Sequence, residues 1–198
     1  MNKEYTQSGS FYKGYFPSSV SIQQIIDWAS SGWDIHVGSG TFSGTLSMKS
    51  GVNVIGESPY NTIINGNVNF AYVNNSILQD VRVSGYINID FSNNIDIKYV
   101  NLNVIYPTDS DIRLFYCWNT SSYDRVVDSY DCPHIDIDGS NFENVNTAVY
   151  YGGSDDGYVQ YANFCENNID LNGSNHYGYI DATCENEWSD DPDNVIIG

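Results

Sequence analysis

Positive charge is scarce in this sequence. It has 7 Lys and Arg residues against 25 Asp and Glu, which gives a formal net charge of −18 at pH 7. A chain with this balance repels phosphate, so the composition excludes nucleic acids and anionic membrane surfaces as partners. Charged residues of both signs make up only 16% of the chain. Uncharged polar residues, including many of the 17 tyrosines, must therefore cover much of its surface.

Long hydrophobic runs are also missing. Residues 1–16, MNKEYTQSGSFYKGYF, contain no apolar core of the length that a secretory signal needs. No later stretch approaches the length of a transmembrane helix. We therefore predict a protein that does not insert into membranes and that shows no signal peptide in this chain.

Cysteine is limited to Cys117, Cys132, Cys165 and Cys184, and their spacing matches no zinc site. A Cys117–Cys132 bond would close a loop of about 15 residues and stabilise the fold by about 3 kcal/mol in the chain-entropy model. Cys165 and Cys184 follow each other at a spacing of 19 residues, within stacking distance in a parallel repeat. We predict the Cys117–Cys132 disulfide for maturation in an oxidising compartment, and free thiols for assembly in the cytosol.

One short amphipathic helix is predicted near the N-terminus. Ile22, Ile25, Ile26 and Ala29 have the spacing of one helical face, and Ser21 with Gln24 has the spacing of a capping box. After this segment the apolar residues alternate in pieces too short for helices. Gly, Ser, Asn and Pro separate these pieces, which indicates strands joined by turns.

The short strands repeat at an interval of about twenty residues. Residues 75–83 align with residues 94–102 at a shift of 19, and Phe142 aligns with Phe164 at a shift of 22. Such an interval predicts a solenoid with three short strands in each coil. We expect about six to seven coils, stacked at roughly 4.8 Å.

The repeat also predicts the core and the two ends. We assign Ile112 and Leu114 to the third strand of their coil, together with Ile87 and Ile89. The helix at residues 22–29 should cap the N-terminal end. The C-terminal end has no equivalent cap, unless Trp188 and residues 195–197 fold over it, and this leaves room for a homo-oligomer formed through that end.

Two segments resemble a known family. They are Ile22-Gln23-Gln24-Ile25-Ile26 and Ile35-His36-Val37-Gly38-Ser39-Gly40-Thr41-Phe42. Both resemble the segment with which the β-helix begins in proteins of the pectin lyase-like superfamily. The resemblance implies an all-β fold, a single-stranded right-handed parallel β-helix with a short N-terminal capping helix. We expect an N-terminal extension at residues 1–20 and the β-helix domain at 21–198. This architecture carries many activities, so it does not by itself imply a reaction.

The coil pattern is interrupted between Tyr116 and Ile135 and again between Val149 and Val159. We expect both excursions, and the turn at residues 172–178, to leave the same edge of the β-helix, where binding groups collect. The candidate binding residues of this edge are Tyr123, Asp124, Arg125, Tyr150, Tyr151, Asp155, Asp156, Tyr158 and His176.

Three kinds of function can be weighed on these residues. Asp155 and Asp156 could be the carboxylate pair of a glycoside hydrolase. The family resemblance adds a lyase reading, in which loop aspartates bind Ca²⁺ and Arg125 abstracts a proton. A binding protein needs no such set. We predict a non-enzymatic extracellular or virion-surface protein that presents a Tyr- and Asp-rich loop edge to a glycan or protein surface. The alternative is a polysaccharide-degrading enzyme, lyase or glycoside hydrolase. No cofactor is required for the first reading, and Ca²⁺ is the candidate cation.

Overall fold

The computed structural model describes residues 3–7, 14–16, 21–119 and 124–152, and the later strands at 157–160, 163–165, 169–172, 176–180 and 195–197. Over these residues the chain is a β-solenoid made of three parallel sheets. The second and third sheets have seven strands each, so the described residues form seven coils of three strands. The predicted fold class is confirmed.

The elements follow one another in a regular order. The N-terminal elements are β1 (Lys3–Gln7), β2 (Gly14–Phe16) and α1 (Ile22–Trp28). The first four coils are β3 (Trp33–Val37), β4 (Gly40–Ser43), β5 (Leu46–Ser47); β6 (Val52–Gly56), β7 (Thr62–Asn65), β8 (Val68–Ala71); β9 (Asn74–Gln79), β10 (Arg82–Val83), β11 (Tyr86–Asp90); β12 (Asn93–Lys98), β13 (Asn101–Leu102), β14 (Val104–Thr108). The later strands are β15 (Asp111–Phe115), β16 (Trp118–Asn119), β17 (Arg125–Tyr130); β18 (His134–Asp138), β19 (Asn141–Glu143), β20 (Thr147–Gly152); β21 (Gly157–Gln160), β22 (Asn163–Cys165), β23 (Ile169–Asn172); β24 (His176–Ile180) and β25 (Val195–Ile197).

Each coil contributes one strand to each sheet. The first sheet has the order β2-β1-β3-β6-β9-β12-β15-β18-β21-β24-β25, the second runs from β4 to β22, and the third from β5 to β23. The N-terminal strand β1 pairs antiparallel with β3, and β25 pairs parallel with β24. Residues of both chain ends therefore extend the first sheet. Trp188 lies outside the described residues.

Helix α1 closes the N-terminal end of the core, as predicted. The Gln24 N–H donates to Ser21 Oγ at 3.1 Å, and the Ser21 N–H donates to Gln24 Oε1 at 2.9 Å. These two bonds are the predicted capping box. Ile25 and Ile26 are buried against the coil below. No helix in the described part of the chain is long and apolar enough to span a membrane.

The interior is built from columns of apolar side chains in register. Ile95 pairs with Ile112, and Ile97 pairs with Leu114, in neighbouring strands of the first sheet. In the second sheet Phe142 is in register with Phe164, and Phe142 is fully buried. Asn94 donates through Nδ2 to Asn75 Oδ1 at 2.7 Å, so asparagine side chains also bond between successive coils.

One predicted register is wrong. Ile112 and Leu114 belong to β15 of the first sheet, and the third strand of the preceding coil is β14. The coil is short here because only Asn103 separates β13 from β14.

This change of register separates the residues that were predicted to share one loop edge. The segment between Tyr116 and Ile135 contains the regular strands β16 and β17. Residues 120–123 connect the second sheet to the third, whereas residues 153–156 connect the third sheet to the first. The strands that flank the two segments therefore belong to different corners of the β-helix, so the expectation of a shared edge is wrong.

The cysteines that bracket the first segment are also separated by this register. Cys117 lies at the corner between the first and second sheets, and Cys132 lies at the corner between the third and first sheets. Both thiols are buried and they are not bonded to each other. Cys165 is in β22, a strand for which the structure describes the backbone. Cys184 lies outside the described residues.

The core register generates a first prediction. Phe142→Ala removes a fully buried ring and should lower the free energy of unfolding by about 3–5 kcal/mol in chemical denaturation. The exposed neighbour Glu143 provides the control, because Glu143→Ala should change the stability by less than about 0.5 kcal/mol. A loss below about 1 kcal/mol for Phe142→Ala would contradict the register.

Cys117 gives a second prediction. Burial raises the pKa of its thiol to about 12, against weaker lowering by backbone hydrogen bonds. Since the thiolate is the reactive form, native protein at about pH 8.5 should leave Cys117 unmodified by iodoacetamide. Peptide mapping before and after denaturation measures this. Rapid native alkylation, or a peptide pair linking Cys117 to Cys132, would contradict the structure.

Candidate functional site

Some of the predicted binding residues do lie together, on the outer face of the third sheet. The Arg125 guanidinium lies 3.9 Å from the centre of the Tyr150 ring, and Arg125 Nη1 lies 2.7 Å from Asp128 Oδ1. Asp124 is exposed, and its carbonyl accepts a hydrogen bond from the Thr147 N–H at 2.8 Å. This group is held together by its own contacts, because the one cation in it is engaged by both a carboxylate and a ring.

The other predicted residues are distributed elsewhere. Tyr151 follows Tyr150 in β20, in register with Ser129. Tyr158 is in β21 and His176 in β24, both in the first sheet. Tyr123, Asp155 and Asp156 lie outside the described residues. The proposed edge is thus divided between two sheets.

A continuous network of charged side chains lies instead on the outer face of the first sheet. Asp96 in β12 is in register with Arg113 in β15. Asp96 Oδ1 lies 2.6 Å from Arg113 Nη2, and Asp96 Oδ2 lies 2.7 Å from Lys98 Nζ. The two cations cover the carboxylate, which explains why Asp96 is only 7% exposed although it points outward.

The network continues to uncharged groups on both sides. Arg113 also donates to Asn94 Oδ1, and Asn94 in turn donates to Asn75. On the other side, Lys98 Nζ lies 5.5 Å from the centre of the Phe115 ring. Polar and aromatic groups are therefore fixed in place across three successive coils.

Two stacked pairs of exposed aromatic rings flank this network. Tyr72 and Phe91 have ring centres 5.3 Å apart at an interplanar angle of 8°, at the corner that precedes the first-sheet strands. Tyr99 and Tyr116 have ring centres 5.3 Å apart at 5°, at the corner that follows them. All four side chains are between 45% and 72% exposed.

The backbone of these four residues is left-handed. Their φ angles lie between 49° and 58°, a region that bulky side chains rarely adopt. The equivalent corners of other coils carry Asp80 and Gly139, which reach the same geometry with small side chains. The left-handed region costs L-residues roughly 1–2 kcal/mol each. The fold does not require aromatic residues there, and unusual backbone of this kind is often associated with function.

Gly139 shows that the rings are accommodated by their neighbours. A Cβ atom on Gly139 would lie 2.5 Å from Cε1 of Tyr116. The glycine therefore leaves the space in which the Tyr116 ring lies, beneath its partner Tyr99.

We call the outer surface of β9, β12, β15 and β18, with the two aromatic pairs at its margins, the first-sheet face. Strand β12 has six residues, so the two margins are about 20 Å apart. The face offers hydrogen-bonding groups in the middle and apolar rings on both sides.

One carboxyl group of the first-sheet face has an unusual environment. Burial raises the pKa of Asp136 above its ordinary value of 3.8; Asp138 and Asp111 raise it further, while His134 and Arg113 lower it. Within the part of the chain that the structure describes, Asp136 Oδ1 has no hydrogen-bond partner. Asp136 is in register with Tyr158, so one predicted residue does border this face.

Sequence reasoning missed the first-sheet face, although one signal was visible. Ala71-Tyr72-Val73-Asn74-Asn75 and Asp90-Phe91-Ser92-Asn93-Asn94 align at the same shift of 19 that defines the repeat. The aromatic residue occupies the same place in both copies. The pairing of Asp96 with Arg113 could not be found, because the predicted register placed residues 112–114 in another sheet.

No group of three or more His, Cys, Asp or Glu side chains suited to a metal ion occurs among the residues that the structure describes. Ca²⁺ remains a candidate cation without assigned ligands among these residues.

The fold and the face define this chain as a β-solenoid with an aromatic and polar outer face. No protein-family model matches the sequence, and no curated protein matches it. Among solved structures it is similar to ORF18 of Geobacillus virus E2, with a TM-score of 0.47 and 10% identity over 84% of this chain and 53% of that one. It is also similar to a protein from Parabacteroides merdae described as a "putative glycosyl hydrolase", with a TM-score of 0.25 and 12% identity over 76% and 86% of the two chains. The chain thus spans about half the length of the viral protein.

Asp136 generates a prediction about pH. Because its folded pKa is raised, the folded state binds the proton more tightly than the unfolded state, so this group lowers stability as the pH rises above its ordinary pKa. Asp136→Asn should therefore raise the melting temperature at pH 7. The difference from the wild type should vanish by about pH 3, below the ordinary pKa, where Asp136 is protonated in the folded and the unfolded state.

The matched control is Asp90→Asn, which makes the same charge change on the third sheet. Melting curves of the three proteins from pH 3 to pH 8 provide the comparison. A lower melting temperature for Asp136→Asn at pH 7, or a difference that persists at pH 3, would contradict the assignment.

Proposed function

We propose that this β-solenoid is a non-enzymatic extracellular or virion-surface protein that binds a glycan on its first-sheet face. The observation that carries the proposal is the pair of exposed aromatic stacks on left-handed corners. They contribute little to the core, and small residues occupy the same corners elsewhere. A ligand that packs on aromatic surface would explain why aromatic residues occupy these corners.

The chemistry of the face suits a sugar chain. Aromatic rings pack against apolar C–H surfaces, and Tyr hydroxyls remain available for hydrogen bonds. The exposed amides of Asn75 and Asn94 and the partly exposed carboxylates of Asp111 and Asp138 offer donors and acceptors on this face. Because neighbouring coils hold these groups in register, little conformational entropy is lost on binding.

The proposed surface differs from the loop edge that the sequence indicated. The Arg125, Asp128 and Tyr150 group on the third sheet satisfies its own charges. Among the described residues, the first-sheet face carries four exposed aromatic rings and the third sheet carries two, Tyr86 and Tyr130, so we place the binding function on the first-sheet face. Net charge remains the argument against nucleic acid as the partner.

Asparagine substitutions test the proposal without removing the fold. Tyr99→Asn and Tyr116→Asn remove a ring but keep a residue that tolerates the left-handed corner. The lost stacking and the relieved backbone cost oppose each other, so the stability should change by less than about 1 kcal/mol. Binding to a glycan array should fall at least tenfold for each variant.

Tyr86→Asn is the matched control, since Tyr86 is also exposed but lies on the third sheet. It should bind like the wild type. The proposal fails if no glycan is bound, or if the corner variants bind as well as Tyr86→Asn does. Binding of a protein ligand that the corner variants abolish would assign the face to the other predicted partner class.

Asp136 favours one alternative, a glycoside hydrolase. A carboxyl group whose pKa is raised by burial can hold the proton that a general acid delivers. Hydrolysis needs a second carboxylate, for which Asp138 and Asp111 are the neighbours on the same face. Release of reducing ends from a bound glycan, abolished by Asp136→Asn, would establish this alternative. Retention of intact glycan would support the binding protein.

A further inference from the structure

The cations of the first-sheet face determine which kind of glycan it can accept. Among the described residues of its four strands, the cationic side chains are Lys98 and Arg113. Both lie within 2.7 Å of the same carboxylate, that of Asp96. Arg113 is further engaged by Asn94, and Lys98 lies against the Phe115 ring. Both cations are therefore already paired within the protein, and a carboxylate or sulfate of a ligand would have to compete with Asp96 for them.

Carboxylates outnumber cations on the first-sheet face. The same four strands carry Asp96, Asp111, Asp136 and Asp138, so four acidic residues face two cations. The whole chain, including these residues, has a formal net charge of −18. An anionic sugar would meet a negative potential at short range and at long range. It would also have to displace Asp96 from its ion pairs, leaving that carboxylate covered and unpaired.

We infer that the glycan bound by the first-sheet face is uncharged, with neither uronate, sialate nor sulfate groups. This inference rests on the proposed function and defines its ligand class. The carboxylates and amide oxygens accept hydrogen bonds from sugar hydroxyls, and the aromatic pairs pack against the sugar rings. Neutral hydroxyls satisfy these acceptors without a competing charge.

A glycan array with matched probes tests the inference. Each neutral oligosaccharide is printed beside its carboxylated and its sulfated counterpart, and binding is measured at about 150 mM NaCl with EDTA and then with CaCl₂. We expect the neutral probes to bind at least tenfold more tightly than their charged counterparts in both buffers. Raising NaCl to about 1 M should change the neutral binding less than twofold, because no charge is neutralised.

A variant makes the test more direct. Asp96→Asn releases both cations from their shared carboxylate, so it should increase binding of the carboxylated probes several-fold. Glu143→Gln, on the second sheet, makes the same charge change away from the face and should leave the selectivity unaltered.

The outcomes separate the inference from the proposed function. Preferential binding of charged probes, with or without Ca²⁺, would overturn the inference; if Tyr99→Asn abolishes that binding, the proposed function still holds. Absence of binding to every probe would overturn the proposed function and the inference with it. Unchanged selectivity in Asp96→Asn would show that the ion pairs do not control ligand charge, and would also overturn the inference.

Discussion

Hydrogen bonding between successive coils is the constraint on which the rest of this structure depends. Backbone groups of each strand pair with the same sheet of the next coil, and the corners continue the pattern, as where the Tyr99 N–H donates to the Phe115 carbonyl at 2.9 Å. Side chains at equivalent positions are therefore stacked at about 4.8 Å. Inward columns form the core, and outward columns place residues that are distant in sequence next to each other. Asp96 meets Arg113 for this reason alone.

The residues at the corners differ from coil to coil and give this regular scaffold its specific surface. A tight corner needs one residue with positive φ, and Asp or Gly can supply it at low cost. Four of the described corners carry Tyr or Phe instead, and the rings stack in pairs beside the charged network. Positive φ at these aromatic residues raises the conformational energy of the backbone, while the exposed rings add little to the core. The proposed binding role accounts for the exposure, the stacking and the backbone geometry together.

The sequence allowed the fold to be predicted because its local signals agree. The capping box at Ser21, the apolar face of the helix and the shift of 19 between residues 75–83 and 94–102 all indicate the same architecture. The prediction failed at β14, which it did not assign to any sheet. Pro107 of this strand lies buried in the third sheet, in register with Ile89. Without that strand, residues 111–115 were assigned to the third sheet, and the loop edge and the Cys117–Cys132 pair followed from the same error. Contacts across coils depend on register, so a single misplaced strand hides them.

The central claim is that the aromatic corners of the first-sheet face contact a glycan. Hydroxyl-radical footprinting, read residue by residue by mass spectrometry, measures the solvent exposure of those rings directly. In the presence of a neutral glycan that the protein retains, the account predicts reduced oxidation of Tyr72, Phe91, Tyr99 and Tyr116, with Tyr86 and Tyr130 on the third sheet unchanged. Protection of Tyr86 and Tyr130, with the four corner rings oxidised as before, would contradict it.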